Sequence, residues 1–181
     1  MFPDAVRIRE VGPRDGFQNE PEAIATDDKV RLIEQLAGAG LTRLEVTSFV
    51  RPDVIPQLAG AGLTRLEVTS FVRPDVIPQL ADGPEVLRRL DVPADVAVSV
   101  LIPNECGFEK SLALREHFTE INCFLSASET HNRHNVNRSI EESLDGLRKV
   151  IASARSEGLR VEGVIATAFG CPYEGAVPQH R

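Results

Sequence analysis

The sequence contains one short turn in which a cation, a carboxylate and an amide lie close together. It runs from Gly12 to Glu20 with the letters GPRDGFQNE, and it places Arg14 beside Asp15 and Gln18 three positions further on. A carboxylate oxygen such as that of Asp15 is the type of ligand that a hard divalent cation binds. The neighbouring guanidinium is suited to stabilise negative charge that develops on a substrate oxygen. On spacing alone a surface turn with an Arg–Asp ion pair explains the same residues, and both interpretations stay open.

These residues need a scaffold, and the rest of the chain alternates predicted strands with predicted helices. The predicted strands are Val6–Val11, Leu41–Phe49 or its copy Leu63–Phe71, Val96–Leu101, Ile121–Leu125 and Val161–Ala168. The predicted helices begin near Thr26, Pro84, Asn104 and Ser139, which are residue types that favour a helix start. The helix after Asn104 is predicted near Glu105 to His117, and Ser139 with Glu142 is predicted to form a capping box. This alternation predicts a parallel sheet covered by helices.

Two folds fit such a sheet, an open doubly wound sheet and a (β/α)8 barrel. Neither GxGxxG nor a Walker motif occurs, which argues against nucleotide binding. Polar residues directly follow three predicted strands, at Arg14-Asp15, at a Thr-Ser pair and at Ser126–Glu129, where a barrel places its active site. Because only about five strands are found and closure needs eight, we predict an α/β fold of the TIM barrel family. It would be an incomplete barrel of about five βα units plus one duplicated strand, in a single domain over residues 1–181.

A perfect internal duplication interrupts this pattern. The segment Ala37–Leu58, AGAGLTRLEVTSFVRPDVIPQL, recurs letter for letter as Ala59–Leu80. Two identical copies do not make a solenoid, which has at least about three divergent repeats, so the duplication is recent, artificial or an assembly error. Removing one copy leaves 181 − 22 = 159 residues with a regular strand–helix pattern. We expect one copy to form the second strand and the other to be looped out or to form an extra strand.

Composition excludes several classes of function. The chain has 42% hydrophobic residues, a net charge of −7 and no run of Lys or Arg, which indicates a globular protein that binds neither nucleic acid nor a membrane. The amino terminus has no signal or transit pattern, and no apolar stretch reaches the roughly 20 residues that span a bilayer. Three cysteines without CxxC spacing argue against a disulfide framework or a structural zinc site. A cytoplasmic location is therefore expected.

Four segments resemble, in the same order, the signature sequences of the hydroxymethylglutaryl-CoA lyases. They are VGPRDGFQNE, LEVTSFVRPDVIPQLAD, SASETHNRHNVNRSIEESL and ATAFGCPYEG. That family belongs to a superfamily of barrels that includes isopropylmalate and homocitrate synthases. The resemblance implies a carbon–carbon lyase that cleaves 3-hydroxy-3-methylglutaryl-CoA, an acyl-CoA substrate, to acetyl-CoA and acetoacetate with Mg²⁺ or Mn²⁺ as the cofactor.

The resemblance also implies roles for individual residues. Asp15 matches the family's metal ligand, Arg14 matches the residue that stabilises the enolate of departing acetyl-CoA, and Gln18 matches a residue near the substrate. The glutamate that supports this arginine matches Glu45 in the first copy or Glu67 in the second. The sequence does not choose between the two copies.

Further residues of the resemblance lie in the second half of the chain. Asn135 and Ser139 match substrate-binding positions, although Ser139 is equally well explained as a helix cap. We expect His131 and His134 to be polar loop residues, because the family's metal histidines form an HxH pattern that this sequence lacks. Cys171 is expected to be a buried or half-buried thiol.

The missing HxH pattern limits the expected activity. Asp15 alone is a poor metal site, since a hard cation takes about six ligands. We therefore expect this chain to be weakly active or inactive as a lyase. A related acyl-CoA lyase or condensing enzyme and a non-catalytic fragment are the alternatives. The unpaired edges of an incomplete barrel favour a homodimer or higher oligomer.

Overall fold

A parallel five-stranded sheet with helices packed on one face forms the centre of the structure. The computed structural model describes residues 9–11, 28, 31–32, 35–36, 38–45, 64–72, 83–89 and 94–178. The strands are β1 Arg43–Glu45, β2 Arg65–Ser70, β3 Ala97–Leu101, β4 Glu120–Ser126, β5 Arg160–Ala166, β6 Gly170–Cys171 and β7 Gly175–Ala176. The helices are α1 Gly83–Arg89, α2 Glu105–Leu112, α3 Glu129–Val136 and α4 Ile140–Ser156. None of the helices within these ranges is long and apolar enough to cross a membrane.

The order of the strands in the sheet follows their order in the chain. The sheet runs β1-β2-β3-β4-β5, and each neighbouring pair is parallel. The predicted parallel α/β architecture is therefore confirmed. The strands β6 and β7 form a separate antiparallel pair that was not predicted. Gly175 allows the tight connection in this pair, because its φ of 74° lies in the left-handed region that favours glycine.

Both copies of the duplicated segment lie in the sheet. The first supplies β1 and the second supplies β2, in a register that places Arg43 beside Arg65, Leu44 beside Leu66 and Glu45 beside Glu67. On its other side β1 pairs with the amino-terminal segment, where the Glu45 N–H donates to the Glu10 carbonyl at 2.9 Å. The first copy therefore forms an extra strand between Glu10 and the second copy. The extra-strand alternative is confirmed, and the looped-out alternative is wrong for these residues.

The helix-covered face of the sheet carries the apolar core. Leu44, Leu66, Val98 and Ile121 follow one another across the strands and are 0–5% exposed. They belong to one buried cluster with residues of all the helices except α3, namely Leu87, Phe108, Leu147, Val150 and Ala154. Burial of each such aliphatic side chain contributes about 1.5–3 kcal/mol. This cluster fixes which face of each strand turns towards the helices.

The opposite face of the sheet carries charge, and we call it the charged face. Glu45, Arg65, Glu67, Asn122 and Glu162 lie on it. Its ion pairs alternate in sign in the order Glu45–Arg9–Glu162–Arg65–Glu120–Arg160. Arg65 is 4% exposed, and its guanidinium also donates to the Ser99 hydroxyl at 3.1 Å. Since a buried charge is costly unless it is paired, this chain of pairs is what allows the face to be buried.

One predicted helix ends earlier in the structure than the sequence indicates. The helix expected from Glu105 to His117 ends at Leu112, and a short 3-10 turn covers Arg115–His117. The Arg115 guanidinium binds the Phe118 carbonyl at 3.0 Å, and Phe118 is 1% exposed. The chain must turn here to bury this phenylalanine, so it leaves the helix early.

The two copies offer a matched test of this sheet. We expect Arg65→Met to lower the free energy of unfolding by about 2 kcal/mol, because it removes the buried cation that Glu120 and Glu162 share and leaves each carboxylate with one partner, Arg160 or Arg9. The identical change in the first copy, Arg43→Met, should cost less, since Arg43 is half-buried and Arg65 is 4% exposed. Urea unfolding followed by circular dichroism measures both. Equal losses would show that the copies exchange places in the sheet.

Candidate functional site

The two candidate glutamates lie on the charged face with different partners. Glu45 and Glu67 are each 3% exposed and occupy adjacent strands in register. Parallel neighbouring strands lie about 4.8 Å apart, and like charges in such positions repel. Each carboxylate must therefore be stabilised by a donor from elsewhere in the fold.

The amino-terminal segment supplies the donor for Glu45. The Arg9 guanidinium donates to Glu45 Oε1 at 3.0 Å and also pairs with Glu162. Burial lowers the pKa of Arg9, but the hydrogen bonds and charges of Glu162 and Glu45 outweigh it and raise that pKa. Burial raises the pKa of Glu162, but Arg9 and Arg65 outweigh it and hold that pKa below its ordinary value. Arg9 and Glu162 therefore stay ionised, so the pair between them persists at neutral pH.

Strand β4 supplies the donor for Glu67. The Asn122 amide donates to Glu67 Oε2 at 2.7 Å, and Asn122 is 2% exposed. Its Oδ1 atom has no hydrogen-bond partner among the described residues, and neither do the hydroxyls of Thr69 and Ser70 at the end of β2. The sequence interpretation missed Asn122. The signal was available, because this amide is the one polar residue in the run Ile121–Leu125.

The segment after β4 is held by a single buried amide. Asn132 of α3 is 1% exposed, and its Oδ1 accepts the Ser126 N–H at 3.1 Å. Its Nδ2 lies 2.9 Å from the Arg138 carbonyl, 3.0 Å from the Ser139 carbonyl and 2.7 Å from the Ser143 hydroxyl. Asn132 therefore joins the end of β4 to the start of α4.

Ser139 caps α4. Its hydroxyl accepts the Glu142 N–H at 3.1 Å, and the Glu142 carboxylate accepts the Ser139 N–H at 2.7 Å. This reciprocal pair is the predicted capping box, and it is confirmed. The Ser139 backbone and side-chain hydrogen bonds lower the pKa of Glu142. The geometry accounts for Ser139 as a cap, and a substrate role for it stays a prediction.

Asn135 borders a cavity of about 160 Å³ at the carboxyl ends of the strands. Its lining includes Asn104, Phe124, Asn135, Arg138, Ser143 and Leu147. Apolar walls with a few amide and guanidinium groups are typical of a small-molecule pocket. The candidate residue Asn135 therefore lies where a ligand can reach it, beside Arg138, which the sequence interpretation did not single out.

The two histidines correct an expectation. His131 and His134 lie in α3 and not in a loop, because the Ser128 hydroxyl caps this helix by accepting the His131 N–H at 3.1 Å. His131 Nδ1 lies 2.6 Å from the Ser126 hydroxyl, and His134 stacks on Tyr173 with ring centroids 4.7 Å apart. His134 thus helps to dock the β6–β7 pair on α3, and His131 joins α3 to the end of β4.

Cys171 is 7% exposed, so the expected buried or half-buried thiol is confirmed. Burial raises its pKa, but hydrogen bonds from the Ser128 hydroxyl and from the N–H groups of Tyr173 and Glu174 outweigh this and lower that pKa. By contrast, burial raises the pKa of Cys123 to about 11. The two thiols differ because Cys171 has hydrogen-bond donors around its sulfur.

The implied metal site falls outside what the structure describes. Arg14, Asp15 and Gln18 lie outside the described residues. Within the described ranges no group of three or more His, Cys, Asp or Glu side chains is arranged to hold a metal ion. The carboxylates of Glu45 and Glu162 are instead paired with Arg9. The described residues therefore do not by themselves fit a divalent cation.

Comparison with known sequences finds a family model and relatives that match nearly the whole chain. The family model described as HMGL-like matches residues 5–180. The chain is 41% identical over 177 residues to hydroxymethylglutaryl-CoA lyase YngG of Bacillus subtilis, a match that covers 98% of the chain and 51% of the relative. It is 40% identical over 176 residues to a cytoplasmic 3-hydroxy-3-methylglutaryl-CoA lyase of Danio rerio, with 97% and 45% covered. A Gallus gallus relative is described as mitochondrial.

Solved structures agree with the sequence comparison. The crystal structure of the Bacillus subtilis HMG-CoA lyase superposes with a TM-score of 0.69 at 41% identity, covering 98% of this chain and 51% of the other. An HMG-CoA lyase from Acinetobacter baumannii in complex with coenzyme A and 3-methylmalate gives a TM-score of 0.67 at 32% identity, with 96% and 49% covered. The predicted incomplete barrel is thereby confirmed. The chain spans about half the length of the relatives it matches.

The capping box yields a prediction for Ser139. We expect Ser139→Ala to lower the free energy of unfolding by about 1 kcal/mol, and Ser139→Asp to restore most of it, because Asp also caps helices. The lowered pKa of Glu142 means that its contribution is present above the ordinary carboxyl pKa and is lost as the pH falls through the lowered value. Thermal unfolding at pH 7 and pH 3 measures both effects. A Ser139→Ala variant as stable as the parent chain would contradict the capping role.

Proposed function

Because the chain belongs to the HMGL-like family, we propose that it carries part of a carbon–carbon lyase for 3-hydroxy-3-methylglutaryl-CoA, with acetyl-CoA and acetoacetate as products. The family match over residues 5–180 is the observation that carries this proposal. Relatives at about 40% identity bear this activity in their names. Since the chain spans about half of their length and contains no HxH pattern, we expect its own turnover to be weak or absent.

The proposed reaction is a retro-Claisen cleavage. A base removes the proton of the tertiary hydroxyl, the carbon–carbon bond breaks, and its electrons form the enolate of acetyl-CoA, which is then protonated. An enolate oxygen is stabilised by a fixed cation beside it. Arg14 is our candidate for that cation and Gln18 for a neighbouring substrate contact, both on the resemblance of VGPRDGFQNE to the family's signature.

The cavity beside Asn135 is our candidate for a binding site for part of the acyl-CoA. The cavity has a volume of about 160 Å³, and we propose that it takes one segment of the ligand. The Asn135 amide can hydrogen-bond to amide groups of the pantetheine arm, and the Arg138 guanidinium can pair with a phosphate. Phe124 and Leu147 supply apolar contacts. A related lyase has been solved in complex with coenzyme A.

A divalent cation, Mg²⁺ or Mn²⁺, remains part of the proposal on the resemblance of Asp15 alone. When bound it would polarise the substrate oxygens as a Lewis acid. The residues that the structure describes do not form its site, so no step of the reaction is assigned to them through the metal.

We also propose a homodimer or higher oligomer in the cytoplasm. Among the described strands, β5 pairs only with β4, and Ile165 on β5 is 61% exposed. Edge strands of this kind tend to be covered by another chain or segment. Sedimentation velocity would measure the assembly, and a monomer at all concentrations would contradict it.

The lyase proposal predicts a metal-dependent activity. With Mg²⁺, we expect release of acetyl-CoA from 3-hydroxy-3-methylglutaryl-CoA at a rate at least about 100-fold below that of a complete relative, and no release from Arg14→Gln. A coupled assay for acetyl-CoA measures this, with Arg133→Gln as the control for loss of one positive charge. Turnover equal to that of the complete lyase would contradict the expected weakness. The absence of both turnover and coenzyme A binding would favour the non-catalytic alternative.

The cavity predicts a difference between two arginines of the same segment. Both arginines are exposed, but Arg138 lines the cavity, whereas Arg133 pairs with Glu129 at 2.9 Å. We expect Arg138→Ala to weaken coenzyme A binding about tenfold by loss of a charged hydrogen bond, and Arg133→Ala to change it less than about twofold. Isothermal titration calorimetry measures both, and equal effects would place the ligand elsewhere.

A further inference from the structure

Helix α4 has a glycine in the middle of its buried face. The buried residues of this helix are Ser143, Gly146, Leu147, Val150 and Ala154, which lie on one side at helical spacing. After proline, glycine is the least favourable residue in a helix interior, because it has the most backbone freedom to lose. Its occurrence at a buried position of α4 is explained if other groups occupy the space that a side chain would fill.

Two charged side chains from other segments occupy that space. A Cβ atom on Gly146 would lie 3.2 Å from Nη1 of Arg138 and 3.6 Å from Oε1 of Glu105. The first distance is shorter than the usual approach of a Cβ atom to another atom, so a side chain at this position would displace Arg138. Gly146 and Arg138 both line the cavity. The glycine therefore leaves the room in which the guanidinium lies at the edge of the cavity.

A lysine on the same helix neutralises the nearby glutamate. Lys149 Nζ lies 3.3 Å from Oε1 of Glu105, which is the oxygen nearest Gly146. Lys149 follows Gly146 by three residues, so both are on the same side of α4. Within the described part of the chain, Glu105 pairs with Lys149, and no carboxylate forms an ion pair with the Arg138 guanidinium.

Glu142 is the other carboxylate that the Arg138 charge affects. Hydrogen bonds from Ser139, and then the charges of Arg133 and Arg138, lower the pKa of Glu142. This carboxylate already accepts the Ser139 N–H at 2.7 Å in the capping box. Among the described residues that line the cavity, Arg138 is the one that carries a charge. A guanidinium in this situation can bind the phosphate or carboxylate of a ligand.

We propose that Gly146 and Lys149 are positioning residues that keep the Arg138 guanidinium at the cavity and available to an anionic group of the ligand. Gly146 does so by leaving room, and Lys149 does so by neutralising Glu105. The identification of that group as a phosphate of coenzyme A rests on the acyl-CoA proposal above. Lys149 is not among the described residues that line the cavity, so it acts through Glu105 and not through contact with the ligand.

Substitution of Gly146 separates stability from binding. We expect Gly146→Ala to raise Tm by about 2 °C, since alanine favours a helix and the exposed end of Arg138 can move aside. The same change should weaken coenzyme A binding about twofold, and Gly146→Leu, whose side chain enters the cavity, about tenfold. In the Arg138→Ala background, Gly146→Ala should still raise Tm but leave binding unchanged. A glycine that serves only helix packing would lower Tm and affinity together on substitution, and that result would overturn its positioning role.

Lys149 has a matched control in its neighbour Arg148, which pairs with Asp145 on the same helix. We expect Lys149→Met to weaken coenzyme A binding about threefold at low ionic strength, because Glu105 then competes for Arg138. Arg148→Met should leave binding unchanged, and adding Glu105→Gln to Lys149→Met should restore it. Isothermal titration calorimetry measures these affinities. Equal effects of the two single variants, or no restoration by Glu105→Gln, would contradict the role of Lys149.

Inorganic pyrophosphate separates this proposal from the acyl-CoA proposal. In an NMR titration the Arg138 Nε–Hε resonance follows binding at the guanidinium itself. We expect it to shift in the parent chain and in Arg148→Met, and to need higher concentrations in Lys149→Met. This pattern without coenzyme A binding would support the positioning roles and overturn the acyl-CoA proposal. Coenzyme A binding that responds to neither the Gly146 nor the Lys149 variants would do the reverse, and binding of neither probe would overturn both.

Discussion

The alternating ion pairs of the charged face are the interaction on which the described sheet depends. They bind the amino-terminal segment, β2, β4 and β5 to one another through Arg9, Arg65, Glu120 and Glu162. In a strand, successive side chains point to opposite faces, so a slip of one residue would move these charges into the apolar core. Such a slip would cost several kcal/mol for each unpaired buried ion. The register of the sheet is thus fixed by the polar face as firmly as by the apolar one.

The duplication shows how far local sequence determines a strand. The letters RLE form a strand in both copies, because the apolar Leu points to the helices in each. The two copies differ in the partners of the Arg and the Glu that flank this Leu. Among the described residues, Arg65 pairs with Glu120 and Glu67 accepts a hydrogen bond from Asn122, both on β4, whereas Glu45 pairs with Arg9. Identical residues in the two copies therefore make different contacts, because the tertiary structure, and not strand propensity, selects their partners.

Much of the fold was predictable, and the missed parts share a cause. Four of the predicted strand positions and the start of α4 followed from apolar runs and from the capping residues Ser139 and Glu142. Helix α3 was missed because it has no apolar stripe and its one buried residue is Asn132. It is stabilised by side-chain hydrogen bonds that have no periodicity. The sequence likewise could not indicate whether Glu45 or Glu67 matches the supporting glutamate, since the two copies are identical.

The same buried amides connect the fold to the candidate site. Asn122 links β4 to the second copy, and Asn132 links the end of β4 to the start of α4. Asn135 and Arg138, which border the cavity, follow Asn132 in the chain, and Asn132 binds the Arg138 carbonyl. An amide with both a donor and an acceptor can join strands and loops without adding charge. Two neutral side chains therefore connect the segment that borders the cavity to the sheet, while the ion pairs fix the sheet itself.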